Sequence, residues 1–374
     1  MQPLVIGVVG LGTMGLGIAQ VFAQAGHAVI GFDADPAMRA TAADRLARSL
    51  SPRVAAGKLL AAEAALTRAR LTVTQDLATF AGAALTIEAV VERLDVKQAL
   101  LRSMEAVVAP DAVLATNTSS LSVASVAQGL SRPARLLGLH FFNPAPAMRL
   151  VEIAGHAGTD PASLTLARTL TEGAGKTLIA SPDRPGFIVN RCARPFYGEA
   201  LALLSEGRHA TEIDAAMVGA GYRMGPFALI DLVGADINLA ATEGLSAAMG
   251  GHPRYHVFPA LREAVAARRL GAKSGAGFVH GRPPALPPPD AAAIVLRIEA
   301  TLANEAATLL AEGAAQGQID TAMRLGLNWP QGPLAAAQAH GLATIRATLR
   351  ALEAAAPPHL AGRYTPSPAL EALT

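Results

Sequence analysis

The sequence predicts a doubly wound α/β domain followed by an all-α region. Short apolar runs alternate with helical segments over the first half of the chain, the pattern of a mostly parallel sheet covered on both faces. A glycine-rich turn follows the first run and opens a helix. After about residue 185 the strand signals almost vanish and long Ala/Leu helices take over.

Residues 4–9, Leu-Val-Ile-Gly-Val-Val, read as a buried strand. A helix follows from about Gly15 to Gly26. Ala28 to Phe32 form the next strand, which ends on Asp33. Pro36 opens a long helical region reaching about Arg70. Later strands are predicted at 71–73, 85–89, 112–116, 136–140, 150–153 and 177–180. This Rossmann-type domain is expected over residues 1–184, and a first helical domain over 185–281. The segment Arg282-Pro-Pro-Ala-Leu-Pro-Pro-Pro289 cannot be helical and reads as a stiff linker. A second helical domain is expected over 290–374.

The two helical domains read as related repeats. Glu199-Ala-Leu-Ala-Leu-Leu-Ser-Glu206-Gly207 returns as Glu305-Ala-Ala-Thr-Leu-Leu-Ala-Glu312-Gly313. Ile213-Asp214-Ala215-Ala216-Met217 returns as Ile319-Asp320-Thr321-Ala322-Met323. Gly225-Pro226 returns as Gly332-Pro333, and Gly234 as Gly341. The offset drifts from 106 to 107 residues, so one residue is inserted between. Asp231 aligns with Gln338, one of the features the second copy lacks. That copy is expected to be structural, or to line part of a pocket.

Composition narrows the function classes. The chain has 374 residues, 51% of them hydrophobic, enough for large cores and two or more domains. The net charge is +2 with 16% charged residues, and no basic run suits nucleic acid. Mean hydropathy is +0.34, yet no run approaches the ~18 apolar residues of a membrane helix. No charged leader precedes the first strand, so no signal peptide is expected. Cys192, the single cysteine, excludes an intramolecular disulfide and makes a reducing cytoplasm the default. It reads as a small buried apolar residue. No His/Cys/Asp grouping has metal-ligand spacing, so no metal is expected.

Two constellations carry chemistry. Gly10-Leu11-Gly12-Thr13-Met14-Gly15 fits G-x-G-x-x-G between a strand and a helix, with an acid at the end of the next strand. Such a turn brings backbone amides and a helix amino terminus to a pyrophosphate. Asp33 would accept hydrogen bonds from ribose hydroxyls and repel a 2′-phosphate, which favours NAD over NADP. Asp35 competes for that role. Further on, His140-Phe-Phe-Asn-Pro-Ala-Pro-Ala-Met-Arg-Leu-Val-Glu152 joins a histidine to a carboxylate across a Pro-kinked turn. A carboxylate on the second ring nitrogen would fix the tautomer and stabilise the imidazolium. A base of this kind beside a nucleotide site suggests hydride chemistry on an alcohol.

These motifs resemble the L-3-hydroxyacyl-CoA dehydrogenases. The resemblance covers roughly residues 4–280 and includes residues 10–19, Ile87-Glu-Ala-Val-Val-Glu92 with Lys97, and Asn117-Thr-Ser-Ser-Leu121. It continues through His140–Glu152, Pro185-Gly-Phe-Ile-Val-Asn-Arg191, Gly221-Tyr-Arg-Met-Gly-Pro-Phe227 and Lys273-Ser-Gly-Ala-Gly-Phe278. The stretch Arg194–Leu201 looks especially like the hydroxyadipyl-CoA enzymes of bacterial phenylacetate breakdown. The resemblance implies reversible NAD-dependent oxidation of an L-3-hydroxyacyl-CoA, as in fatty-acid β-oxidation, with His140 as base and Glu152 as its partner. Ser119 and Asn190 would bind the reacting oxygen; the plainer readings are a helix cap for Ser119 and a helix-terminus residue for Asn190. Glu92, Lys97, Asn143 and Lys273 correspond to NAD contacts. Ser49 falls on a family CoA contact. The family's CoA lysine falls on Ala56, a departure, so Lys58 or Arg53 would substitute. Arg149, Arg194 and Arg223 are possible anchors for a distal carboxylate.

Where the family's single helical domain dimerises, the second copy here would take the partner's place, as an internal pseudo-dimer in a monomer; a homodimer is the alternative. Two other functions stay open: a dehydrogenase of a non-CoA hydroxy or sugar acid, similar to gulonate dehydrogenases, and a non-catalytic structural protein on this fold.

Overall fold

The computed structural model describes residues 2–373, which divide into two compact units between Arg184 and Pro185. The first unit carries one eight-stranded sheet. In chain order it contains β1 (Val5–Val9), α1 (Thr13–Gln24), β2 (Ala28–Phe32), α2 (Pro36–Ala55), α3 (Ala61–Ala69), β3 (Leu71–Thr74) and β4 (Leu85–Glu88). It continues with α4 (Leu94–Glu105), β5 (Val113–Thr116), α5 (Val123–Ala127), β6 (Leu136–Phe141), β7 (Leu150–Ala154), α6 (Pro161–Gly173) and β8 (Thr177–Ala180). The strand order is β3-β2-β1-β4-β5-β6-β7-β8. Strands β4 to β7 are buried along their whole length, which explains why they read as unbroken apolar runs.

The order reverses between β1 and β4, so a crevice opens at the carboxyl ends of these strands. All neighbours pair in parallel except β6 and β7, which are antiparallel. That pairing sets His140 opposite Glu152. The helical region predicted from Pro36 to Arg70 is two helices. Gly57 sits between them at φ 67, a conformation a side chain rarely adopts. The pair closes over Leu11 and Leu16 through Leu46, Leu50 and Ala64, in a small core apart from that of the sheet.

The second unit is helical. Its first half has α7 (Val189–Ser205), α8 (Ala210–Gly219), α9 (Pro226–Val233), α10 (Ala235–Ala248) and α11 (Pro259–Ala266). Its second half has α12 (Ala291–Ala311), α13 (Gln316–Leu327), α14 (Pro333–His340), α15 (Leu342–Ala355) and α16 (Pro368–Ala372). The residues shared by the sequence repeat do the same work in each half. Asp214 accepts from the amides of Phe227 and Ala228 at the start of α9, and Asp320 from those of Leu334 and Ala335 at the start of α14. A Cβ on Gly225 or Gly332 would strike the respective aspartate. Helices α7 and α12 are joined by reciprocal ion pairs. Arg191 donates to Glu305, at 2.8 Å from Nε, and to Glu312. Arg297 donates to Glu199 and Glu206, each at 2.7 Å. Tyr255 caps Glu305 as Tyr364 caps Glu199. One surface meets its own copy, the geometry of a two-fold dimer interface, inside one chain.

The segment 282–289 has no helix or strand, as its prolines require. It does not merely span a gap. Pro283, Pro284, Ala285 and Pro287 line a cavity of about 420 Å³ with Val218 and Gly219 of α8.

Candidate active site

The glycine turn leaves β1 at the crevice. Gly10 has φ 91, and an added Cβ would lie 2.6 Å from the Ala89 carbonyl oxygen. A Cβ on Gly15 would lie 1.7 Å from the Gly10 oxygen. The protein's own packing therefore demands both glycines. Gly12 differs, because its Cβ would meet nothing within 4 Å. The open space in front of the α1 amino terminus is the cradle a pyrophosphate needs. Asp33 tightens this turn: Oδ2 accepts from the Leu11 amide at 2.7 Å and Oδ1 from the Asp35 amide at 2.9 Å. Each oxygen keeps a lone pair for a ribose hydroxyl. Asp35 instead caps α2 through the Ala37 amide, which leaves Asp33 as the acid at the glycine turn.

Next along the crevice, Glu88 ends β4 fully buried. Lys97 of α4, only 1% exposed, places its ammonium 2.9 Å from Glu88 and 3.2 Å from Glu92. Thr116 also donates to Glu88. Glu92 in turn accepts from the hydroxyl of Thr118 at 2.7 Å and from the amides of Ser119 and Ser120 at 2.8 and 2.9 Å. Burial raises the Glu92 pKa, but the Lys97 charge and these donors outweigh it and hold the value at about 2. Lys97 is thus neither a surface charge nor open to a ligand; it fixes Glu92, and Glu92 fixes the turn bearing Ser119. The Ser119 hydroxyl lies 3.3 Å from Glu92. Ser119 caps no helix, since Ser122 is the residue that caps α5.

His140 and Glu152 come together. Nδ1 lies 2.7 Å from Oε2, both side chains are buried, and the Phe142 ring stands 4.4 Å from the imidazole. The contact follows from register, because opposed residues of an antiparallel pair project to one face. With Nδ1–H directed to the carboxylate, Nε2 is the ring nitrogen suited to take a proton. Two residues to which the sequence assigned no role support this pair. Asn117 at the end of β5 accepts from the Phe141 amide at 2.8 Å. Lys176 donates to the Ala145 and Met148 carbonyls at 2.6 and 2.7 Å, holding the turn between β6 and β7.

The other candidates belong to different elements. Asn143 is exposed in that turn. Ser49 donates to Gln20 at 2.8 Å, tying α2 to α1, and Lys58 is exposed beyond α2. In the helical unit, Asn190 lies in the first turn of α7 and Lys273 pairs with Asp236 at 2.5 Å. Among the described residues no group of three or more His, Cys, Asp or Glu side chains is arranged to hold a metal.

Comparison with known proteins decides the family. The model of the 3-hydroxyacyl-CoA dehydrogenase NAD-binding domain matches residues 5–184, and that of the C-terminal domain matches twice, over 186–281 and 294–374. The chain belongs to the 3-hydroxyacyl-CoA dehydrogenase family. It is 42% identical over 279 residues to 3-hydroxyadipyl-CoA dehydrogenase of Escherichia coli K12, a match covering 74% of this chain and 59% of that relative. It is 40% identical over 278 residues to 3-hydroxybutyryl-CoA dehydrogenase of Mycobacterium tuberculosis, covering 73% and 96%. The crystal structure of an E. coli K12 3-hydroxybutyryl-CoA dehydrogenase superposes with TM-score 0.92 at 32% identity, covering 100% of this chain and 98% of that one. Homologues of this chain are therefore NAD-dependent oxidoreductases acting on the CH–OH group of hydroxyacyl thioesters. No described helix is long and apolar enough to cross a membrane.

Proposed function

We propose that this protein oxidises an L-3-hydroxyacyl-CoA reversibly to the 3-oxoacyl-CoA, with NAD as cofactor. The observation that carries the proposal is the buried His140–Glu152 pair at the same sheet edge as the glycine turn. NAD, when bound, supplies the hydride acceptor. The turn from Gly10 through Leu11, Thr13 and Met14 to Gly15 holds its phosphates and Asp33 its ribose. Glu92, Asn143 and Lys273 complete that site, with Lys97 positioning Glu92. His140 Nε2 takes the substrate hydroxyl proton, and Glu152 stabilises the charge left on the ring. Removing that proton raises the electron density that drives hydride departure from C3. Ser119 and Asn190 orient the reacting oxygen. The α2–α3 pair carries the CoA portion, where Lys58 meets a phosphate and Ser49 accepts a hydrogen bond.

The remaining assignments follow from this reading. The chain has a nucleotide domain over 1–184, a first helical domain over 185–281 and a duplicated one over 290–374. It works in the cytoplasm as a monomer whose second helical domain substitutes for a partner subunit.

NADH oxidation with acetoacetyl-CoA tests the mechanism. Exchange of His140→Gln should lower kcat by about 10²–10⁴-fold. A variant as fast as the parent protein would refute the assignment.

A further inference from the structure

The internal repeat separates what the helical fold needs from what it does not. Arg191 and Arg297, Glu199 and Glu305, and Asp214 and Asp320 are kept in both copies and make the same contacts. Four other positions change together. Asn190 and Arg194 of α7, with Asn238 and Thr242 of α10, align with Leu296, Ala300, Ile345 and Leu349. In the second copy these residues form an apolar core, where Ala300, Ile345 and Leu349 are fully buried and Leu296 packs against them.

In the first copy the same place is polar. Arg194 is 8% exposed, Asn238 2% and Thr242 9%. Arg194 Nη1 donates to the Thr242 hydroxyl at 3.0 Å and the Asn238 carbonyl at 3.3 Å, and Nε donates to the Asn190 carbonyl at 3.3 Å. The guanidinium stands 4.8 Å over the Tyr197 ring. Every hydrogen-bond partner is neutral. No carboxylate pairs with Arg194 among the described residues, and Nη2 has no hydrogen-bond partner without being sealed from solvent. Burial disfavours its charge, against a smaller opposing effect of Tyr197. A buried guanidinium lacking an anion is costly, and the second copy shows that the fold can do without it.

We propose that Arg194, held by Asn238 and Thr242, anchors a carboxylate at the far end of the acyl chain, so that the preferred substrates are 3-hydroxydicarboxylyl thioesters of adipyl length. This rests on the role given above to Asn190. Asn190 and Arg194 lie one turn apart, about 6 Å along α7. Three carbon–carbon bonds separate C3 from the terminal carboxyl carbon of an adipyl chain, about 4 Å, and the side chains bridge the rest. The planar fork of arginine suits a carboxylate. A CoA phosphate is the wrong anion, since the long pantetheine arm separates it from the thioester.

The test is the ratio of kcat/KM for 3-oxoadipyl-CoA to that for acetoacetyl-CoA, with NADH and the full chain. The parent protein should favour the former. Arg194→Met should lower the ratio roughly 10- to 100-fold, and Arg194→Lys should retain part of it. A triple variant, Arg194→Ala with Asn238→Ile and Thr242→Leu, carries the residues with which the second copy folds and should behave like Arg194→Met. An unchanged ratio in a folded variant, an equal loss for both thioesters, or weakened inhibition by free CoA would overturn the inference. Absence of turnover with both thioesters in the parent protein would instead refute the proposed function, and this inference with it.

Discussion

His140 meets Glu152 because a single antiparallel pairing interrupts the sheet. The sequence displayed both partners, since a strand, a turn and a strand lie within thirteen residues. Exchange of Glu152→Gln should leave the imidazole without its anionic partner and cut kcat about 10²–10⁴-fold, read in the same NADH assay. Asp33 was preferred in the sequence for its place at the strand end, and the structure adds that its competitor Asp35 caps α2 through the Ala37 amide. The role of Lys97 was hidden. Its burial beneath two carboxylates depends on how α4 docks on β4 and β5, which local periodicity does not encode. The same network predicts an acid response. Glu92 titrates at about 2, below its ordinary 4.5. Its stabilising contribution is therefore complete above pH 4.5 and lost as pH falls through 2. Urea unfolding at a series of pH values should show Glu92→Gln with a shallower loss of stability across that window. An unaltered slope would mean that the network adds nothing to the fold.

Elements were legible where they were local. All eight strands lie within one or two residues of their predicted bounds, because each is a short apolar run closed by turn residues. The direction of β7 was not, since alternation marks a strand without saying how it pairs. The pair α2 and α3 was expected from the family resemblance, but composition did not mark the break between them, because the Ala-rich stretch around Gly57 has helical composition throughout. The ion pairs between α7 and α12 give the element-scale prediction. Arg191→Met leaves the fully buried Glu305 with Arg254 and Tyr255 as its remaining partners and should destabilise the helical unit by about 1–3 kcal/mol in urea unfolding. Arg297→Met should cost less, because the outer carboxylate it leaves, that of Glu206, is half exposed. Equal losses would mean that burial does not set the strength of this lock.

At the scale of the molecule, the repeat was visible in the order of its Gly, Pro, Asp and Glu residues. Its meaning emerges from the contacts. Gln338 replaces Asp231, which in the first copy accepts from the amides of Phe278, Val279 and His280. With the two-fold surface already satisfied internally, light scattering should give a mass near 38.2 kDa. A stable dimer would show that the second copy leaves an association surface open. The α7–α12 lock also has a consequence for dilution. Subunits held together by mass action drift apart as they are thinned out, and their melting temperature falls with them. A tethered counterpart is always at hand, so this protein's Tm should be the same in a dilute sample as in a crowded one.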